Sequence, residues 1–253
     1  MRILMYHEVT EHEPEEIHAV STAAFSAQMR WLRQAGYEAV SLPDCLAAGG
    51  RRPLTHANPI VITFDDGYRN NYTNAWPILA EHGFVGTIFL VTGRMGQTSA
   101  WRPGALGRAP LLAWPEVTEL ARLGMHFGSH TASHLDLNGA PRAVVEQELR
   151  VSRDSLEQAL GLPVDSLAYP YSRFNPQVKA IARQTGYLTA CSCPTGYVGA
   201  ANRDPYDLRR ITVLASDQLS DFVAKVRGHW RRRLDWYRRV FGLWRRQLLG
   251  RPG

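Results

Sequence analysis

At 253 residues, with 45% hydrophobic and 21% charged side chains, the chain has the composition of a globular protein with a full-sized core, which excludes a disordered chain. No apolar run reaches the roughly 18 residues of a membrane-spanning helix. The net charge of +6 averages two unlike parts: residues 1–224 carry 19 basic and 22 acidic side chains, whereas residues 225–253 carry ten basic ones and a single acid, Asp235.

In chain order, Ile3-Leu4-Met5-Tyr6 predicts a short strand that stops at His7, and a polar loop then runs to Val20. The opening residues lack the basic and long apolar regions of a secretory signal, which sets the expectation of a cytoplasmic protein. Phe25, Met29 and Leu32 have helical spacing, so a helix over 25–35 is expected to close at Gly36. A second strand is expected over 37–42, and Gly49-Gly50-Arg51-Arg52-Pro53 breaks the chain after it. The next segment, Pro-Ile-Val-Ile-Thr-Phe at 59–64, is the unbroken apolar, β-branched run of a strand buried on both faces, and it ends in Asp65-Asp66-Gly67.

Beyond it, helices over 74–82, 115–123, 141–160 and 176–185 alternate with strands over 86–91, 125–129, 166–169, 188–192 and 210–214. This alternation predicts a parallel α/β sheet with crossover helices, and about seven such units close as a barrel or nearly so. The glycine- and proline-rich stretch 93–110 is too long for a plain connector; with 8–20, it is expected to shape a substrate groove. Cys45, Cys191 and Cys193 argue by their odd number against a disulfide framework and fit a reducing compartment.

His7, Asp65, Asp66, His130 and Tyr171 all fall just past the C-terminal end of an expected strand, the edge where parallel α/β folds assemble sites. Asp-Asp-Gly is ordinary turn chemistry by itself. Strand alternation would instead point Asp65 and Asp66 different ways, freeing one to bind a cation and the other to accept a proton. His130 and His134 are four apart, a spacing that puts both imidazoles on one side of a helical turn. Two imidazoles and a carboxylate leave a position open for water, as catalytic zinc requires.

Three segments, Thr63-Phe64-Asp65-Asp66-Gly67, His130-Thr131-Ala132-Ser133-His134 and Ala168-Tyr169-Pro170-Tyr171, resemble the signature motifs of the NodB-homology polysaccharide deacetylases, carbohydrate esterase family 4. The resemblance covers roughly residues 1–214. It implies a distorted (β/α)7 barrel and metal-dependent removal of an N-acetyl group from an amino sugar. On that reading Asp65 is the general base, Asp66, His130 and His134 hold a divalent metal, zinc by their donor set, and the Tyr171 N–H binds the oxyanion. Two departures stand out. The arginine that normally precedes the proline of the third motif is absent, and so is the late Leu-His pair that supplies the acid. Leu4-Met5-Tyr6-His7 resembles the opening of the circularly rearranged branch, similar to poly-N-acetylglucosamine deacetylases, which assigns the acid to His7. Arg210 is the candidate for the missing guanidinium, the alternative being an ordinary surface arginine.

The chain thus reads as one domain over 1–216 and a tail over 217–253. In the tail Val223, Val226, Trp230, Leu234, Tyr237, Phe241, Trp244 and Leu248 draw one apolar stripe along a basic helix. Such a helix either docks on the barrel or lies on an anionic membrane through residues 225–253. The expected partner is a carbohydrate bearing N-acetyl groups, and nucleic acid is not expected. A lipid-linked sugar substrate and a catalytically inactive carbohydrate-binding protein are the competing readings.

Overall fold

The structure is a computed structural model that describes residues 2–14, 16–42, 44, 58–101, 108–193, 202 and 204–229. Cys45, the break at 49–53, part of the 93–110 loop and the tail from Trp230 onward lie outside the described residues.

The first strand, β1 (Arg2–Tyr6), is buried beyond Arg2. Where a continuous polar loop was expected, two short strands follow, β2 (Glu8–Thr10) and β3 (Ala19–Ser21), paired in parallel with Glu8 opposite Ala19. Val9 and Val20 explain them, because each is a fully buried β-branched residue whose packing outweighs the polar character of the segment. Asn70 and Asn74 fasten the pair: the Asn70 side chain accepts from the Val9 N–H and the Asn74 side chain donates to the Val9 carbonyl. The helix α1 (Thr22–Gln34) begins at Ser21, whose hydroxyl accepts from the Ala24 N–H, and it buries Phe25, Met29 and Leu32.

β4 (Glu38–Ala39) is shorter than expected, and β5 (Pro59–Phe64) is the long strand that the apolar run predicts. A π-helical turn at Asn71–Ala75 leads into α2 (Trp76–Glu81). The alternation continues through β6 (Thr87–Leu90), α3 (Trp114–Arg122), β7 (His126–Ser129), α4 (Arg142–Leu160), β8 (Ser166–Ala168), α5 (Pro176–Gln184) and β9 (Thr189–Ser192).

The last strand departs from expectation: instead of one strand over 210–214 there are two pieces, β10 (Leu208–Arg209) and β11 (Ile211–Thr212), with Arg210 between them. Closure of the sheet is the reason. The strand order is β10-β9-β8-β7-β6-β5-β1-β11, every pair is parallel, and β4 joins the side of β5. Both rims of the sheet therefore belong to one stretch of chain, which changes partner at Arg210. The Arg210 N–H donates to the Ser192 carbonyl at 3.1 Å, and the Val213 N–H donates to the Met5 carbonyl at 3.1 Å. The result is a nearly closed, distorted parallel barrel wrapped in helices.

Alternation along the strands divides the apolar residues into two layers. Leu4, Tyr6, Ile60, Ile62, Phe64, Ile88 and Leu90 face the helices, where they meet Phe25, Met29, Leu79, Leu120 and Leu149. Ile3, Val61, Phe89, Ala168, Cys191 and Leu208, from six different strands, make up a smaller cluster with Val40 and Leu42, the filling of the barrel itself. Gly128 in β7 is part of that filling by having no side chain: a Cβ there would stand 2.6 Å from the Phe89 ring. Alternation from Val61 through Thr63 carries on inward to Asp65.

The tail begins as α6 (Leu219–Val226), which docks on the barrel. Phe222 is fully buried and meets Trp31 of α1 edge-on at 5.9 Å, and Arg2 donates to the Val226 carbonyl at 2.6 Å. Lys225, the first residue of the segment considered for membrane contact, is turned inward and ion-paired with Asp217. No helix among the described residues is long and apolar enough to cross a membrane.

Candidate active site

Asp65 still belongs to the sheet, for its N–H donates to the Tyr6 carbonyl at 2.9 Å. Its side chain points into the barrel and meets Arg210 head on. The two terminal guanidinium nitrogens each donate to one carboxylate oxygen at 2.6 Å. Arg210 is the largest fully buried side chain among the described residues, at 1% exposure. Thr63 Oγ1 and the Ser192 carbonyl accept from it as well, and its central carbon lies over the Phe89 ring, 5.4 Å from the centroid. A buried charge persists only when paired and hydrogen-bonded, and this guanidinium is both.

Asp66 turns away, though strand alternation is not the cause. Its φ is +73° and that of Gly67 is +75°, so the chain has already left the strand in two successive left-handed residues. A Cβ on Gly67 would also lie 2.7 Å from the Leu90 side chain. This turn carries the Asp66 carboxylate to within 3.3 Å of His130 Nε2 and 3.2 Å of His134 Nε2.

The two histidines do not share the helical turn that their spacing suggests. They lie on an irregular loop after β7 in which Thr131 and His134 have positive φ. Hydrogen bonds replace helix: the His134 N–H donates to Thr131 Oγ1, and the Thr131 N–H donates to Ser129 Oγ. Glu148 of α4 accepts from Ala132 N–H, Ser133 N–H and the Ser133 hydroxyl. The Thr131 and Ala132 carbonyls in turn accept from Thr92 and Gly93. Trp101 stacks on the His134 ring at 4.6 Å.

Tyr171 sits in a tight turn at Pro170–Ser172 with φ +57°, its exposed ring edge-on to His134 at 4.7 Å. Arg173 pairs with Asp136 and Asn175 with the Asn138 carbonyl, so this turn is tied to the histidine loop. Among the described residues five non-glycines have positive φ, namely Asp66, Thr131, His134, Tyr171 and Ser172, and all five are here. Each costs about 1–3 kcal/mol, a concentration of strain characteristic of functional sites.

His7 follows β1, the neighbour of β5, and lies close enough to both aspartates that its charge helps to lower them. Burial by itself would push the Asp65 carboxyl up; the Arg210 guanidinium, with His130 and His7, reverses that and leaves it below the usual carboxylate range. Burial likewise opposes ionisation of Asp66, yet hydrogen bonds from His130 and His134 hold it well below that range. For His130, burial disfavours the charged form but Asp66 and Asp65 outweigh it, so its pKa rises; for His134 burial prevails and its pKa falls.

The donor set fits a metal ion. One ligand atom each from Asp66, His130 and His134 lie within 4.8 Å of one another, and all three residues are buried. His130 Nδ1 is 2.8 Å from the Ala168 carbonyl, which can only accept, so Nδ1 carries a hydrogen, and it is Nε2 that would give up its proton to offer a lone pair to a metal.

The polysaccharide deacetylase family profile matches residues 53–190, more than half of the chain. The chain belongs to that family. It is 30% identical over 226 residues to the YxkH protein of Bacillus subtilis, spanning 88% of this chain and 75% of that one. It is 24% identical over 219 residues to a poly-beta-1,6-N-acetyl-D-glucosamine N-deacetylase of Staphylococcus aureus, spanning 82% of this chain and 71% of that one. Among solved structures, the Streptococcus pyogenes deacetylase PplD in complex with acetate superposes with a TM-score of 0.78 at 27% identity, covering 89% of this chain and 97% of that one.

In this member of the polysaccharide deacetylase family, then, the structure brings Asp65, Asp66, His130, His134, Tyr171 and Arg210 together, with His7 beside them. Sequence reasoning missed Glu148, Trp101 and His18, which stacks on His7. Glu148 left a faint signal, a carboxylate between the core-facing Val145 and Leu149 of an amphipathic helix. Trp101 and His18, both outside regular elements, left none.

Proposed function

We propose that the protein is a metal-dependent hydrolase that removes the acetyl group from N-acetylglucosamine residues of an oligo- or polysaccharide. The observation that carries this reading is the pairing of two differently furnished carboxylates: Asp66 converging with His130 and His134, and Asp65 beside it held by Arg210. Family membership supports the reaction class, and the name of the Staphylococcus aureus relative supports the sugar.

A divalent ion on Asp66, His130 and His134, zinc by the two-nitrogen, one-oxygen donor set, would polarise the amide carbonyl and lower the pKa of the attacking water. Asp65 accepts a proton from that water. Both its oxygens accept from Arg210, yet a carboxylate offers about four lone pairs, so some remain for the substrate side. Arg210 fixes the carboxylate plane and keeps it ionised, which a base requires. The Tyr171 N–H donates to the oxygen on which charge develops. His7 gives its proton to the sugar nitrogen as the C–N bond breaks, leaving acetate and a free amine; acetate is the ligand bound to PplD.

Acetate release from β-1,6-linked N-acetylglucosamine oligomers by zinc-loaded protein tests the reading. Release should stop after chelation and return with added zinc. No release from any N-acetylated sugar by the loaded protein would overturn it.

A further inference from the structure

The small sheet of β2 and β3 has a use that its size does not suggest. Each of its strands is preceded by a histidine, His7 before β2 and His18 before β3. The pairing sets Glu8 against Ala19, Val9 against Val20 and Thr10 against Ser21, so one step back along both strands His7 and His18 stand side by side. Their rings stack with centroids 4.7 Å apart and planes at 28°.

The stack is fixed from several directions. Asn70 and Asn74 hold Val9, the Ala19 N–H donates to the Glu16 carbonyl at 3.1 Å, and the Ala215 N–H donates to the Ile17 carbonyl at 2.9 Å. Val20 and Phe25 anchor the far side in the core. His18 therefore presents a flat face from a fixed position, and that face covers one side of the His7 ring at the end of β1.

We infer that His18 is a positioning residue for His7: its stacked ring holds the His7 imidazole in the orientation from which it delivers a proton to the leaving sugar nitrogen. The inference rests on His7 being the acid of the proposed reaction. Proton delivery needs the donor within about 3 Å of its target, and small misplacements of a reacting group cost rate steeply. Packing against a ring is all the role demands, so another flat ring should serve.

The test compares two substrates in the zinc-loaded full chain, an N-acetylglucosamine oligomer and an aryl acetate whose phenolate leaves without a proton. In His18→Ala, kcat for the amide should fall about tenfold or more at unchanged KM, with an equal fall in the amide-to-ester ratio. His18→Phe should restore most of that ratio. Wild-type amide turnover in His18→Ala, a parallel loss on both substrates, or a phenylalanine variant no better than alanine would each overturn the inference. His7→Ala separates it from the reading beneath it: intact amide turnover there removes the acid assignment and this inference together. Loss in His7→Ala but not in His18→Ala removes this inference alone. Independently of turnover, the ring current of His18 should shift the His7 Hε1 proton resonance, and an unchanged resonance in His18→Ala would overturn the stack itself.

Discussion

Arg210 and Asp65 are 145 residues apart in the chain, yet they meet through two parallel hydrogen bonds of 2.6 Å inside the barrel. The contact follows from how the sheet closes. Arg210 lies where the final stretch exchanges β9 for β1 as its partner, and the residue at that junction faces the interior beside β5. In Arg210→Met the Asp65 carboxylate stays buried without its cation, which should cost about 3–5 kcal/mol at neutral pH, measured by urea unfolding. The pH dependence should also reverse. In the wild type the lowered Asp65 pKa contributes stability that is present above the unfolded value near 3.9 and lost as pH falls through the folded pKa. Without Arg210, burial raises that pKa, so acidification from neutral pH should narrow the gap between variant and wild type. A gap that widens on acidification would contradict the argument.

The two aspartates should separate by experiment. Asp66→Ala and His130→Ala each remove one of three convergent donors, and both should lose stoichiometric metal by elemental analysis. Asp65→Asn keeps those donors and should retain metal while acetate release falls by about 100-fold or more. Full turnover in Asp65→Asn would exclude it as the base.

How far the sequence led is visible in particular residues. Strand ends were legible because an apolar run that stops at a polar residue leaves a local mark, as at Tyr6-His7 and Phe64-Asp65. The barrel was legible for the same reason, repeated. What was hidden depends on backbone that composition does not encode. Asp66 leaves its strand through a left-handed residue, and the His130–His134 spacing imitates a helix where hydrogen bonds to Glu148 build a loop. The β2 and β3 pair rests on one buried valine each, and the break at Arg210 exists because two distant edges meet there.

Glu148 carries the loop that presents both histidines, accepting three hydrogen bonds from residues 132 and 133. Glu148→Ala should leave the fold nearly intact, since the side chain is only half-buried and is not among the core residues of α4. Metal affinity should drop by about 10–100-fold, because groups that orient ligands contribute on that scale. Competition with a calibrated chelator reads the change directly. Unaltered affinity would mean that the hydrogen bonds to Thr92 and Gly93 suffice to shape the loop.

Lys225 decides whether the start of the basic tail is part of the barrel. It donates to both oxygens of Asp217, at 2.7 and 2.5 Å, and to the Thr212 carbonyl of β11 at 3.0 Å, so α6 is tied to the strand that closes the sheet. Asp217 also accepts from the Leu214 N–H at 2.8 Å. Removing one member of a buried pair strands the other, and Lys225→Met should therefore cost about 3–5 kcal/mol in urea unfolding. The double variant Lys225→Met with Asp217→Asn removes the stranded charge while keeping an acceptor for Leu214, and it should recover most of the loss. An exposed, undocked lysine would behave differently: its substitution would change stability by no more than about 0.5 kcal/mol, and the second substitution would add nothing.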